Sequence, residues 1–210
     1  MVDAERETPP PPIPERLLLS VARRAMACEF ELLFNQFQYP AAADVAHEVL
    51  DLIEGLEGKL SVYKPRSDLS QLNRWGGKRL LPLSPDTLRL LQLARDLHRL
   101  TGGAFDVTAG ALSEVWGFAR RQGKMPSEAE LATALQTVGT QYLQLDEAAG
   151  AAGLQREGVK VNPGGVGKGY ALDRAAGRLV AAEINDFLIH GGLSSVVARG
   201  DRQHPETGGG

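Results

Sequence analysis

The order of apolar and polar residues predicts an α+β fold, a mixed or antiparallel sheet flanked by helices, and three observations carry that class. Cys28, Phe30, Leu32 and Phe34 alternate with Glu29, Glu31 and Asn35, with Leu33 as the exception, the period of a half-buried strand. Val45, Val49, Leu52, Ile53, Leu56 and Leu60 recur at three- and four-residue spacing, the period of an amphipathic helix. Strand and helix patterns then mix without strict strand–helix–strand alternation and without an internal repeat.

Taken in order, residues 1 to about 15 combine charge with five prolines, a composition that favours an extended tail over a packed element. Residues 1–20 are therefore expected to form a proline-rich disordered tail. Ala25 to Asn35 reads as a strand, and Ala41 to Leu60 as a long helix after the turn at Tyr39-Pro40. Ser67 or Asp68 is placed to cap a short helix carrying Leu69 and Leu72. Ser84-Pro85 sets an N-cap and a proline at the first helical position, and the leucines from Leu88 to Leu100 predict a helix buried on a wide face. The loop from Thr101 to Gly110 places Phe105 beside Asp106. Asp106 is read either as the cap of a helix over 109–116 or as a carboxylate facing a ligand. Ser127 to Glu130 spells a capping box ahead of Leu131, Leu135 and Val138. Short strands are expected at Tyr142 to Leu145, Gly153 to Arg156, Val159 to Val161, Phe187 to His190 and Ser194 to Arg199, with Gly191-Gly192 as a turn. Residues 201–210 carry no apolar periodicity and read as a disordered end, leaving 21–200 as the folded domain.

Composition narrows the function. At 210 residues with 43% hydrophobic content the chain can bury one sizeable core. A net charge of −3 provides no general attraction for nucleic acid, so no nucleic-acid partner is expected. Cys28 is the single cysteine, which excludes an intrachain disulfide. His47, His98, His190 and His204 are too dispersed for a zinc-ligand spacing, and no zinc site is expected. No apolar run reaches the length of a membrane span. The start is acidic and proline-rich, without a basic region and apolar core, which as written implies a cytoplasmic protein.

One stretch concentrates candidate chemistry. Val159 to Val180 reads as a strand, a turn containing Gly164, Gly165, Gly167 and Gly169 around Lys168, and a helix with Leu172, Ala175, Ala176, Leu179 and Val180 on one face. Glycines let a ligand approach the backbone, the first helical turn presents N–H groups, and Lys168 adds a positive charge, so an anion such as a pyrophosphate is favoured there. It is neither a P-loop, since Asn162 stands at the first glycine and Gly169 at the hydroxyl position, nor a well-spaced dinucleotide fingerprint. The residues alone leave two readings open, a phosphate cradle and a turn that merely packs a helix tightly on a strand. Tyr63, before Lys64-Pro65, likewise reads as a loop packing residue or as a ring that stacks on a planar ligand.

Five segments in this order resemble the ApbE-type flavin transferases, the FAD:protein FMN transferases. They are Ala25-Met26-Ala27-Cys28; Leu60 to Tyr63 with Ser67 to Asn73; Thr101 to Gly110, followed by Trp116-Gly117-Phe118; Val161 to Asp173; and Gly191-Gly192. The resemblance covers roughly residues 20 to 200 and implies an ApbE-like domain over 21–200, corresponding to the N-terminal two-thirds of such a protein. It implies that FAD is the substrate and that FMN passes, with Mg²⁺, to a threonine hydroxyl of a target flavoprotein while AMP leaves. Carried over position by position, Met26, Tyr63, Ala104, Phe105, Asp106, Asn162 and Lys168 are the expected flavin-nucleotide contacts. The Gly165 backbone carbonyl is the expected metal ligand; no catalytic residue is assigned.

The sequence also departs from the family pattern. Met26-Ala27-Cys28 replaces the family's usual Met-Gly-Thr, and Asn162-Pro163 replaces Asp-Leu. The family's later Thr-Ser-Gly, histidine-containing and Asp/Thr metal segments are not found, which implies C-terminal truncation and missing metal ligands. Two alternatives follow, a non-catalytic FAD-binding module and a non-functional fragment. The family's members are often exported.

Overall fold

The computed structural model describes residues 17–118 and 125–201. Their architecture is α+β, as the period analysis predicts. A four-stranded antiparallel sheet runs in the order β1 (Leu18–Ala25), β2 (Cys28–Asn35), β6 (Phe187–Gly191), β7 (Ser195–Arg199). A smaller antiparallel sheet pairs β3 (Leu81–Pro82), β5 (Ala151–Leu154) and β4 (Leu143–Asp146). The helices are α1 (Ala42–Leu60), α2 (Asp68–Trp75), α3 (Pro85–Leu100), α4 (Gly110–Val115), α5 (Glu128–Leu135) and α6 (Gly167–Ala181). Among the described residues, no helix is long and apolar enough to cross a membrane.

The core lies where α1 and α6 pack on each other and on the larger sheet. Alternation along β2 and β6 turns Phe30, Leu32, Phe34, Phe187 and Ile189 inward, and all five are buried. They meet Val49, Ile53 and Leu56 of α1 and Leu172, Ala175 and Leu179 of α6. One polar junction braces three helices from the side. Asp86, in the first turn of α3, accepts from Lys59 of α1 at 2.8 Å and from Arg174 of α6. Burial pushes the Asp86 carboxyl up, but these two cations outweigh it and hold the group below the ordinary carboxylate range.

Several expectations are corrected. The folded region starts earlier than 21, because Leu18 to Ala25 forms an edge strand. Its inward positions include Arg23, whose guanidinium reaches Asp51 and Glu54 of α1, so an alternating strand hides behind a charged residue whose stem covers the sheet. Asp201 is bonded through its backbone to Asn35 and Asp186; residues 1–16 and 202–210 of the two expected disordered ends lie outside the described residues. The strand predicted to start at Ala25 starts at Cys28. The helix α3 is buried through Leu90, Leu91 and Ala94, while Leu93 and Leu100 are exposed, a narrower face than its leucines suggest. The strand expected at Gly153 to Arg156 is Ala151–Leu154. Val159 to Val161 forms no ladder, only an isolated parallel bridge from Lys160 to Ala109. The capping box at Ser127 and Glu130 is formed on both sides, and Ser84 caps α3 ahead of Pro85. Ser67, not Asp68, caps α2, and Asp68 instead accepts from the Ser84 amide and Thr87 hydroxyl at the start of α3.

β1 and β2 are joined by the two-residue turn Met26-Ala27, with φ of 48° and 61°. Positive φ at both central residues matches the right-handed twist of a hairpin but favours asparagine or glycine, and it strains residues with a Cβ. The structure thus explains what the alanine changes where the resembling family commonly has glycine. Ala27→Gly is expected to raise unfolding stability by about 0.5–1 kcal/mol, read as a higher urea midpoint at unchanged slope; a lowered midpoint would contradict the strain.

Candidate nucleotide site

The glycine loop is approached by a backbone segment that no sheet supports. Val159 and Val161 are buried, so the main-chain groups between them need partners. Asn73, in the last turns of α2, supplies two: its amide donates to the Val161 carbonyl at 2.8 Å and its carbonyl accepts from the Val161 amide at 2.7 Å. The Gly110 amide donates to the Lys160 carbonyl, and the Asn162 amide to the Val107 carbonyl. A Cβ at Gly110 would stand 2.5 Å from the Lys160 oxygen, so this approach requires glycine. The Asn162 side chain then accepts from the Gly164 amide at 2.9 Å, closing a turn that continues as a short 3-10 segment, Pro163–Gly165, into α6.

The first turn of α6 has no side-chain cap and no acidic residue. Its N–H groups and Lys168 therefore form a positive end that is favourable for an anion. Gly164 and Gly165 are exposed beside it. A cavity of 220 Å³ opens there, lined among others by Met26, Ala27, Glu57, Tyr63, Asn162, Gly164 and Lys168. A second cavity, of 390 Å³, shares Val62, Tyr63 and Asn162 with it and continues between Asn73, Arg74, Ser113, Glu114, Phe118 and Lys160. Tyr63 stands at the junction, 71% exposed, so its ring is available for stacking and is not packed into the core.

Four of the expected contact residues, Met26, Tyr63, Asn162 and Lys168, thus gather around one cavity. Phe105 joins them from another element: a Cβ at Gly165 would lie 3.3 Å from its ring. Ala104 is exposed on the same loop. Neither Ala104 nor Asp106 lines either cavity. Gly165 offers a backbone carbonyl, yet no group of three His, Cys, Asp or Glu side chains that could hold a metal ion occurs among the described residues. A backbone carbonyl is one of the oxygen ligands that magnesium accepts alongside waters and phosphate. Sequence reasoning missed the Asn73 clasp and the second cavity's Arg74, Glu114 and Lys160. The available signal was an asparagine late in a helix, a position that its residue type disfavours.

Cys28 adjoins the site, since it approaches Gly192 and feels the charge of Lys168. Burial pushes its thiol up, Lys168 opposes this and Glu57 adds to it, so the group stays protonated at neutral pH and is a poor nucleophile.

Asp106 neither caps α4, whose N-cap Ala109 has no side-chain bond, nor lines either of the two cavities above. Its Oδ1 accepts from the Thr108 amide at 2.8 Å, the Thr108 hydroxyl at 2.6 Å and the Thr140 hydroxyl at 2.9 Å; its Oδ2 accepts from the Thr140 amide at 2.9 Å. His98 Nδ1 lies 3.3 Å from the same Oδ2 and donates to the Phe105 carbonyl at 2.9 Å. This cluster fixes the loop that carries Phe105. Burial pushes the Asp106 carboxyl up, but the bonds from Thr108 and Thr140 outweigh it and hold the group below its ordinary value. A lowered folded pKa gives stability that is present above the unfolded value of about 3.9 and is lost as pH falls through the folded one. Asp106→Asn, which turns a donor toward donors, is expected to cost about 1–3 kcal/mol at pH 7 and to make the acid limb of stability shallower. Urea unfolding at several pH values checks both; an unchanged acid limb would contradict them.

Comparison with known proteins agrees with the fold. The ApbE family model matches residues 26–207. The chain is 26% identical over 182 residues to the FAD:protein FMN transferase of Haemophilus influenzae, covering 83% of this chain and 53% of that protein. It is 30% identical over 160 residues to the one from Salmonella typhimurium, covering 73% and 46%. Among solved structures, the ApbE protein of Thermotoga maritima superposes with a TM-score of 0.79 at 25% identity, covering 88% of this chain and 60% of that one. The flavin transferase ApbE of Vibrio cholerae gives 0.77 at 22% identity, over 88% and 60%, a likeness of fold. The chain spans about half the length of the curated relatives it matches. With the family model running from the β1–β2 turn through the glycine loop and beyond β7, this chain belongs to the ApbE family.

Proposed function

We propose that this chain acts in the reaction for which its relatives are named, FAD:protein FMN transfer, with FAD as substrate and a threonine hydroxyl of a target flavoprotein as acceptor. One observation carries the reading: the uncapped start of α6 and Lys168 face a cavity also lined by Met26, Tyr63 and Asn162. A ligand with two ring systems joined by a pyrophosphate matches this form, with its charged centre at Lys168 and its rings reaching into the two cavities that meet at Tyr63. Phe105 and Ala104 would border the nucleotide, and Asp106 would serve it by holding their loop.

In the proposed step the threonine oxygen attacks the phosphorus on the FMN side of the pyrophosphate. A new P–O bond forms to threonine, the bond to the AMP phosphate breaks, and the hydroxyl proton is lost to a base. Charge builds on the departing phosphate. Lys168 and the α6 amides are suited to hold that charge, because positioned donors matter more in such a transfer than covalent help. Mg²⁺ belongs to the proposal as the ion the Gly165 carbonyl would help to hold, and when bound it would neutralise phosphate charge.

A second reading, FAD binding without transfer, rests on the same cavity around Lys168, which binding alone would use. Incubation of the chain with FAD, Mg²⁺ and a threonine-bearing acceptor domain separates the two. Transfer predicts that the acceptor gains the mass of one FMN while AMP appears in equal amount. Saturable FAD binding with neither product would leave the binding module, and absence of FAD binding would refute both.

A further inference from the structure

Lys168 does not extend freely toward the cavity. Its ammonium donates to the Ser194 hydroxyl at 2.6 Å, in the turn between β6 and β7, and among the described residues no carboxylate pairs with it. The turn is pressed into place by four further features. The Gly192 amide donates to the Glu29 carbonyl at 2.8 Å, and Gly192 has a φ of 64°. A Cβ at Gly191 would stand 2.7 Å from the Phe30 ring, and one at Gly192 3.2 Å from Cys28 Cβ and 3.9 Å from Lys168 Nζ. The glycines thus let the turn settle onto the start of β2, directly beside the start of α6.

A hydroxyl is a particular kind of partner for this cation. It fixes the ammonium's direction by a hydrogen bond yet leaves its full charge available, whereas a carboxylate at the same place would cancel the charge. The geometry points to Ser194 as a positioning residue for the phosphate-binding cation: the β6–β7 turn holds Lys168 in the orientation that meets the pyrophosphate of a bound flavin dinucleotide. This inference rests on the FAD reading above. It adds a residue from a second element to the site and makes the strength of phosphate binding depend on the turn.

The test is equilibrium binding of two probes to the whole chain, FAD and riboflavin, followed by flavin fluorescence at low ionic strength. Riboflavin carries the same isoalloxazine ring but no phosphate. Ser194→Ala is expected to weaken FAD by about 5- to 10-fold and leave riboflavin unchanged; Ser194→Thr, which keeps the hydroxyl, should stay within about twofold of the parent for both. Ser194→Asp should weaken FAD by about 30-fold or more through charge cancellation without lowering the thermal midpoint. Ser194→Ala binding FAD as the parent does, while Lys168→Ala loses it, overturns the inference and spares the FAD reading. Equal weakening of FAD and riboflavin also overturns it, since that marks a general distortion. A parent chain that binds no FAD overturns the reading and the inference together.

Discussion

The arrangement depends on how one buried strip of backbone, Val159 to Asn162, is satisfied without a sheet. Buried main-chain groups left unpaired would each cost about 1–3 kcal/mol. The amide of Asn73 and the loop around Val107 and Gly110 take the place of a neighbouring strand. This fixes the entry to the glycine loop against α2 and α4, and the loop in turn sets where α6 begins. From there the helix runs back into the core through Leu172, Ala175 and Leu179, so the positive helix end is anchored by apolar packing at one side and by a side-chain clasp at the other.

That arrangement separates rigid and available groups. Asn73, Asn162 and Asp106 direct their polar atoms at the chain's own backbone and hydroxyls. Tyr63, Gly164 and Lys168 line the cavity, Lys168 with its ammonium bonded to the neutral Ser194 hydroxyl. A loop built this way can present charge and amides to a ligand without first reorganising, since the cost of ordering the loop is met during folding. The strain at Met26-Ala27 fits the same division: the turn is placed against the cavity even though neither residue prefers its backbone conformation.

Local chemistry explains which parts were legible. Ser127 with Glu130 and Ser84 with Pro85 are short-range capping signals, and the α1 period extends over nineteen residues, so these elements can be read without knowledge of their neighbours. The glycine loop and Lys168 were legible as an anion site because their chemistry is local too. The rest depended on distant partners. β1 was obscured because Arg23 is pointed inward only by carboxylates on α1. β5 is built from Ala151 and Ala152, poor strand formers whose conformation is imposed by β4 and β3. Val159 to Val161 has strand-like residues but finds a side chain where a partner strand would be. Asp106 reads as a cap or a ligand contact because, besides the nearby Thr108, its partner Thr140 is 34 positions away.

The central pairing of the larger sheet has a consequence for how the protein is made. Glu31 of β2 lies opposite His190 of β6, 159 positions later. At a synthesis rate of about 5–20 residues per second, roughly 10–30 s separate the emergence of the two. During that interval the first hairpin has one edge with no strand to pair it, and Phe30, Leu32 and Phe34 lack the α6 surface that later covers them. The nascent chain must therefore keep an apolar, half-built sheet from associating with its neighbours until the glycine loop, α6 and β6 have left the ribosome.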